Sequence, residues 1–329
     1  MLHPLALAII TVFTCLACGA GQSDEPKSDP AKFLPGVKRI LFLGDSITYD
    51  GRYAAYFETQ WRLHFRDRPV EFINCGLPSE TVSGLSEEGH AGGKFPRPDL
   101  HERLARVLKK TQPDLVFACY GMNDGIYLPF AEDRFGKFKD GMTKLHQQVE
   151  TAGAKIIHLT PPVFDAVPIK QRVAAADKVS ADRPFADYDK VLERYSEWLL
   201  TMRDKSWRVV DLHGPMAAAL ESKRRQTPAF TFAADGVHPS QEGQLLLGKT
   251  LVEGLQAPFA AQPLQFGDIN TPSSLHAKMF KLVHERQRIL TDAWLTDIGH
   301  RRPMPAGQPL GKAQAKAAEI EGRILALLQ

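Results

Sequence analysis

Short apolar runs alternate along this chain with longer stretches whose apolar residues recur every three or four positions. The runs are Arg39–Leu43, Val70–Asn74, Asp114–Cys119, Lys155–Leu159 and Trp207–Asp211. They are too short for helices and nearly unbroken in hydrophobicity, which predicts strands buried on both faces. Between them lie four stretches with helical spacing. Arg52–Phe65 carries Tyr53, Tyr56, Phe57, Trp61 and Phe65, and Asp99–Lys110 carries Leu100, Leu104, Val107 and Leu108. Arg134–Ala152 carries Phe135, Phe138, Met142, Leu145 and Val149, and Tyr188–Met202 carries Val191, Leu192, Tyr195, Trp198, Leu199 and Met202. Strand and helix in alternation predict an α/β fold with a central parallel five-stranded sheet and helices on both faces. Ligands of such sheets bind beyond the carboxyl ends of the strands.

The rhythm is broken twice. Thr160–Pro184 is long and irregular, leaves the fourth strand at the ligand-binding edge and carries Phe164, so it is expected to form a substrate rim or a surface loop. After Gln256 the strands stop. Ser273–Ile298 and Gly311–Leu328 predict two amphipathic helices joined through the Pro-rich Arg302–Pro309, an appendage that packs on the domain or on a partner. At the other end, Leu5–Ala17 is an apolar segment short of a membrane span but suited to a signal-peptide core. Cys18 follows a small residue, as the lipid-bearing cysteine of a bacterial lipoprotein does; cleavage after Gly19 or Ala20 fits as well. The expected organisation is a signal peptide over 1–20, a polar tether over 21–36, the α/β domain over 37–256 and the helical extension over 257–329. Export to a bacterial periplasm, cell surface or extracellular space follows from it.

Composition narrows the picture little. The chain has 329 residues, 43% hydrophobic, with a formal charge of +3. That is enough for one large core, and scattered basic residues give no nucleic-acid surface. Lys109-Lys110 and Arg224-Arg225 fit solvated helix ends. His276, His284 and His300 lack metal-ligand spacing and fit helix surfaces. No phosphate-binding Gly-rich loop occurs. No cofactor or metal is expected.

Chemistry concentrates at the strand ends. Gly44-Asp45-Ser46 follows the first strand, Asn74-Cys75-Gly76 ends the second, Gly121-Met122-Asn123-Asp124 follows the third, and Asp235-Gly236-Val237-His238 stands near the chain's last strand–helix passage. A serine is a weak nucleophile until a base takes its proton. Within a loop, an Asp three residues before a His can fold back to orient its ring, which makes His238 the candidate base and Asp235 its orienter. Backbone N–H groups at Ser46 and Gly76, with the neutral Asn123 amide, are candidate oxyanion donors. Asp45 and Asp124 fit local hydrogen bonding that shapes their loops. His213, in Asp211-Leu212-His213, is a competing base, disfavoured because alternate residues at a strand end point to opposite sides. The nucleophile elbow Gly-x-Ser-x-Gly does not surround Ser46. Pro239 suits the first turn of a helix running on to Val252. Tyr127, Phe130 and Phe164 are candidates for a sugar-stacking rim.

These four blocks, in this order, resemble the SGNH hydrolase superfamily, also called GDSL esterases or lipases. The defining Ser, Gly, Asn and His match Ser46, Gly76, Asn123 and His238, with Asp235 as the triad acid, over roughly Val37–Gln256. Leu77-Pro78-Ser79-Glu80 departs from the Ser-Gly turn of many members. The resemblance implies a flavodoxin-like three-layer α/β/α sandwich and serine-dependent ester hydrolysis without a metal. The family includes carbohydrate O-acetylesterases, lipases, thioesterases and acyltransferases, so the substrate does not carry over. With no long apolar lid suited to lipid and Tyr127, Phe130 and Phe164 available as a rim, the expected substrate is a small-molecule or polysaccharide ester, a carbohydrate O-acetyl or related short-acyl ester first. Transfer to another alcohol, lipase or thioesterase activity on the same fold, and a noncatalytic cell-surface binding role are the alternatives. In a flavodoxin-like sheet the second and third strands flank the first, so Cys75 and Cys119 are expected as separate buried thiols.

Overall fold

The computed structural model describes residues 36–66, 68–180, 183–255 and 269–329. The signal-peptide segment, Cys18 and nearly all of the tether lie outside the described residues. Five strands form one parallel sheet: β1 Arg39–Gly44, β2 Glu71–Asn74, β3 Leu115–Cys119, β4 Lys155–Leu159 and β5 Arg208–Val210, in the order β2-β1-β3-β4-β5. Pairing runs in register from Arg39 opposite Glu71 on one side and from Ile40 opposite Leu115 on the other. Ile40 to Leu43 and Leu115 to Ala118 are fully buried, as near-continuous apolar runs in a doubly covered sheet must be. Each predicted strand is present, with ends shifted by no more than one residue.

The α-helices of five residues or more are α1 Ser46–Asp50, α2 Arg52–His64, α3 Leu100–Thr111, α4 Glu132–Thr151, α5 Tyr188–Thr201, α6 His213–Gln226, α7 Gln241–Gly254, α8 Leu275–Ile298 and α9 Leu310–Ala326. Gly51, with φ +82°, lets the chain turn from α1 directly into α2. The aromatic stripe of α2 sits on the sheet: Phe57 packs on Phe42, Phe72 and Phe117 with ring centroids 6.0, 6.2 and 5.1 Å apart. Two details differ from the sequence expectation. Ser240, not Pro239, caps α7, its Oγ accepting from Gly243 N–H, so the proline precedes the helix. And α6, which the apolar pattern does not announce, follows β5 at once. Its sequence is mostly small and charged, and it buries only His213, Met216 and Leu220.

The two C-terminal helices pack on each other and on α2. Ala55 meets Met279, Leu282, Val283, Ile320 and Ile324 in a small second core. Above it, the fully buried Glu58 binds Arg62 at 2.5 Å, Gln287 Nε2 at 2.7 Å and Arg286. Arg62 and Arg286 also hold Glu321 of α9. Burial works against the charge on Glu58, yet the Arg286 and Arg62 guanidiniums and the Gln287 amide hold its carboxyl below the usual range. Among the described residues no helix is long and apolar enough to cross a membrane. Cys75 and Cys119 are buried and free.

Candidate active site

All four blocks converge beyond the carboxyl end of the sheet. Ser46 opens α1 directly after β1. Asp45 caps that helix, Oδ1 accepting Ile47 N–H at 2.9 Å, and burial pushes its carboxyl up to about 7. Ser46 Oγ lies 2.8 Å from His238 Nε2, and His238 Nδ1 lies 2.7 Å from Asp235 Oδ2. The second oxygen of Asp235 accepts the backbone N–H groups of Val237 at 2.9 Å and His238 at 2.8 Å, which fold the loop back on itself. The hydrogen bond that the His238 ring donates to Asp235 raises the His238 pKa above its ordinary value. Partial burial opposes the charge on Asp235, but hydrogen bonds from the His238 ring and these backbone groups hold its carboxyl far below the usual range. Both side chains are half exposed, His238 at 52% and Asp235 at 49%, so water reaches the pair.

The loop is braced from behind. Gly236 has φ +83°, and a Cβ there would lie 2.7 Å from both the Asp165 carbonyl and Ile169. Gly236 O accepts Asp165 N–H at 2.8 Å. The Asp165 carboxylate is clamped by Arg224, 2.7 Å to each oxygen, and by Thr231 Oγ1 at 2.6 Å. Arg224 is therefore an anchor rather than a solvated helix end. The competing base, His213, is buried at the start of α6, with Nδ1 3.2 Å from Pro161 O and Nε2 3.9 Å from Asp189. It makes no hydrogen bond to Ser46.

Asn123 stands opposite. One Nδ2 hydrogen goes to Glu80 O at 3.1 Å, leaving the other for a ligand. Its Oδ1 accepts from Arg97 Nη1 at 2.8 Å and Tyr127 Oη at 3.2 Å, which fixes which way the amide points. Arg97 is itself held by Glu87 through two 2.6 Å bonds, and its guanidinium lies over the Tyr127 ring. Neither Arg97 nor Glu87 is recognisable in the sequence. They sit in an aperiodic loop, and only the fold brings them to Asn123. Asp124 does more than shape its own loop: its Oδ1 accepts Val82 and Ser83 N–H of a distant loop at 2.9 and 2.8 Å, and burial raises its carboxyl to about 6.

Gly76 is placed differently from its expected use. Its N–H donates to Asn74 Oδ1 at 2.8 Å. What requires glycine is space: a Cβ would lie 2.4 Å from Tyr49 N, so the glycine lets the end of β2 press on α1. Four residues on, Glu80 N–H bonds Leu77 O at 3.2 Å to close a turn with Ser79 at φ +68°. Among the described residues the Ser79 N–H has no partner, and Glu80 is the residue whose carbonyl receives the Asn123 amide. Buried Arg103 secures this turn, binding Glu80 at 2.6 and 2.7 Å and Cys75 O at 2.8 Å.

Two hollows open at the site, the first on the Asp235–Val237 loop and the second on Ser46 and His238 themselves. One, of 420 Å³, runs past Asp235 and Val237 to Arg97, Tyr127, Phe164 and Ile169. Phe164 and Tyr127 thus face it, both packed on Tyr188, whereas Phe130 does not. Its ring turns onto Phe135 at 5.5 Å and under Arg194 at 4.3 Å, part of the α4–α5 packing. The other is a groove lined by Ser46 and His238. His284 belongs to its wall rather than to an outer helix surface, Nε2 lying 3.1 Å from Asp50 O. Among the described residues no group of three His, Cys, Asp or Glu side chains could hold a metal ion.

A family model for the GDSL-like Lipase/Acylhydrolase family matches residues 42–246, well over half of the chain. Curated proteins give no match. Among solved structures, a gut microbial diltiazem-metabolizing enzyme is 19% identical with a TM-score of 0.49 over 67% of this chain, which spans about half (48%) of that enzyme's length. The acetylxylan esterase Axe2 from Geobacillus stearothermophilus is 20% identical with a TM-score of 0.46, covering 67% of this chain and 94% of Axe2. The acetyl xylan esterase AlAXEase is 18% identical with a TM-score of 0.48, covering 65% and 98%.

Proposed function

Because the chain belongs to the GDSL-like lipase/acylhydrolase family, and so to the SGNH carboxylic ester hydrolases, we propose that it removes short acyl groups from sugars or polysaccharides through an acyl-enzyme on Ser46. The observation that carries the mechanism is the 2.8 Å contact of Ser46 Oγ with His238 Nε2, backed by the 2.7 Å contact of Nδ1 with Asp235. In this reading Ser46 attacks the ester carbonyl as His238 takes its proton. The carbonyl oxygen becomes an oxyanion and is met by the N–H of Ser46 and the free Nδ2–H of Asn123. For the third donor we assign the unengaged N–H of Ser79 in place of Gly76, whose N–H would first have to leave Asn74. His238 then protonates the leaving alcohol, and water, activated by the same ring, releases the acid. Arg97 positions the Asn123 amide.

The half-exposed pair favours hydrolysis over transfer to another alcohol, since water reaches the site of the acyl-enzyme. A complete base and orienter argue against a binding protein, which needs neither. The apolar segment Leu5–Ala17 supports export, with Cys18 the residue that would carry a lipid anchor. The test is hydrolysis of p-nitrophenyl acetate by the wild type and by Ser46→Ala, His238→Ala and His213→Ala. The first two variants are expected to lose turnover and the third to keep most of it. Full activity in Ser46→Ala would discard the serine mechanism.

A further inference from the structure

The groove beyond His238 has a wall that the family match does not include. Its floor is Ser46 and His238; its sides are Tyr49, Asp50 and Arg52 from α1 and α2, Gln241 and Gln244 from α7, and Phe280, His284 and Arg288 from α8. It encloses 800 Å³ of open space. The matched family region ends at residue 246, before α8 begins. This wall is fixed against the nucleophile's own helix. His284 bonds the Asp50 carbonyl, Arg288 donates to the Tyr49 carbonyl and lies over the Tyr49 ring at 4.1 Å, and the Phe280 and His284 rings are parallel to within 6°.

We propose that this groove is the leaving-group subsite, and that α8 makes the enzyme selective for esters of extended carbohydrate alcohols. The inference rests on Ser46 and His238 acting as nucleophile and base. A base that returns its proton to the departing oxygen must have the alcohol on its own open side. Ser46 and His238 line this groove, whereas the other hollow touches neither and is lined by Arg97 and Tyr127, the residues that fix the Asn123 amide. The lining selects the chemistry. Its carbon surface, from Ile47, Pro239, the aromatic rings and the stems of Arg52 and Arg288, is interrupted by charged and amide heads that an alkyl chain would leave unsatisfied. A sugar chain finds flat rings for its C–H faces, and guanidinium, imidazole and amide groups for its hydroxyls.

The experiment compares two substrates with the same acyl group: an acetylated xylo-oligosaccharide and the acetylated methyl xyloside. In Phe280→Ala and in Arg288→Gln, the ratio of kcat/KM for the oligosaccharide to that for the xyloside is expected to fall about tenfold, mainly through KM. Glu285→Ala, on the exposed side of the same helix, should leave both substrates alone. If α8 only props up α1, both substrates suffer together and the ratio stays put, which overturns the proposal. So does a wild-type enzyme that handles the oligosaccharide no better than the xyloside. A wild type inactive on both of these and on p-nitrophenyl acetate would instead refute the esterase reading itself.

Discussion

Asp235→Asn is expected to damage the enzyme more than Asp235→Ala, although asparagine is the closer mimic in shape. Asp235 Oδ1 accepts two backbone N–H groups while Oδ2 accepts the His238 ring N–H. An asparagine has one accepting end and one donating end. Its oxygen goes where two N–H groups already point, favoured by about 2 kcal/mol at about 1 kcal/mol per hydrogen bond. The NH₂ then faces Nδ1, which must accept. The ring proton moves to Nε2, where it blocks the transfer from Ser46. A bias of about 2 kcal/mol is roughly 30-fold in the population of competent rings. Both variants also lose the carboxylate's support for the charged imidazole. That support is worth about 1.5 kcal/mol, the low end for charge-assisted bonds because the pair is half exposed. Asp235→Ala should therefore lose about tenfold in kcat/KM, and Asp235→Asn roughly 300-fold. The assay is p-nitrophenyl acetate hydrolysis at mildly alkaline pH, with circular dichroism to confirm folding. An asparagine variant as active as the alanine variant, or more so, would refute the tautomer argument.

Four further outcomes follow from the same geometry. Activity needs a neutral His238, whose pKa is raised by Asp235, so kcat/KM should climb with pH through a midpoint above the ordinary histidine value. Asp235→Ala should move that midpoint down, and an unmoved midpoint in the pH–rate profile would separate the limb from His238. Arg97→Met frees the Asn123 amide to turn; kcat should fall about tenfold, less than the 10²–10³ expected for losing the donor itself in Asn123→Ala, as steady-state kinetics would read. Gly76→Ala drives a methyl group into the Tyr49 N–H, and a melting curve should reveal lost stability alongside turnover reduced by displacement of α1. Glu58→Ala leaves Arg62 and Arg286 only the partly exposed Glu321 as a partner and should cost up to about 3 kcal/mol in denaturant titration. Because the Glu58 carboxyl lies below its usual range when folded, its contribution is present above the unfolded pKa and is lost as pH falls through the folded one.

What the sequence reveals follows from local physics. Strands buried on both faces must be apolar throughout, so β1 to β5 stand out, and the first three motifs are legible because each abuts one. The Asp235–His238 pair is equally local, a turn of four residues. Arg97, Glu87 and Arg103 are legible only in three dimensions, since each is a charged residue in ordinary surroundings until a distant loop closes on it. Phe130 fails as a rim residue for the reverse reason: its neighbours in sequence are active-site loop, but α4 and α5 offer its ring a better-packed place. For α8 the amphipathic stripe signals packing without saying against what. That the surface is the back of the nucleophile's helix emerges only from the fold.

The two thiols give the protein indifference to its redox surroundings. Cys75 follows β2 and Cys119 ends β3, and β1 runs between those strands. Adjacent strands lie about 4.8 Å apart, so the two sulfurs sit on backbones too widely separated for a bridge. Burial pushes the Cys75 thiol up to about 12 and the Cys119 thiol well above its ordinary value, so neither supplies the thiolate that oxidants attack. The described fold thus gains nothing from an oxidising compartment and loses nothing in a reducing one.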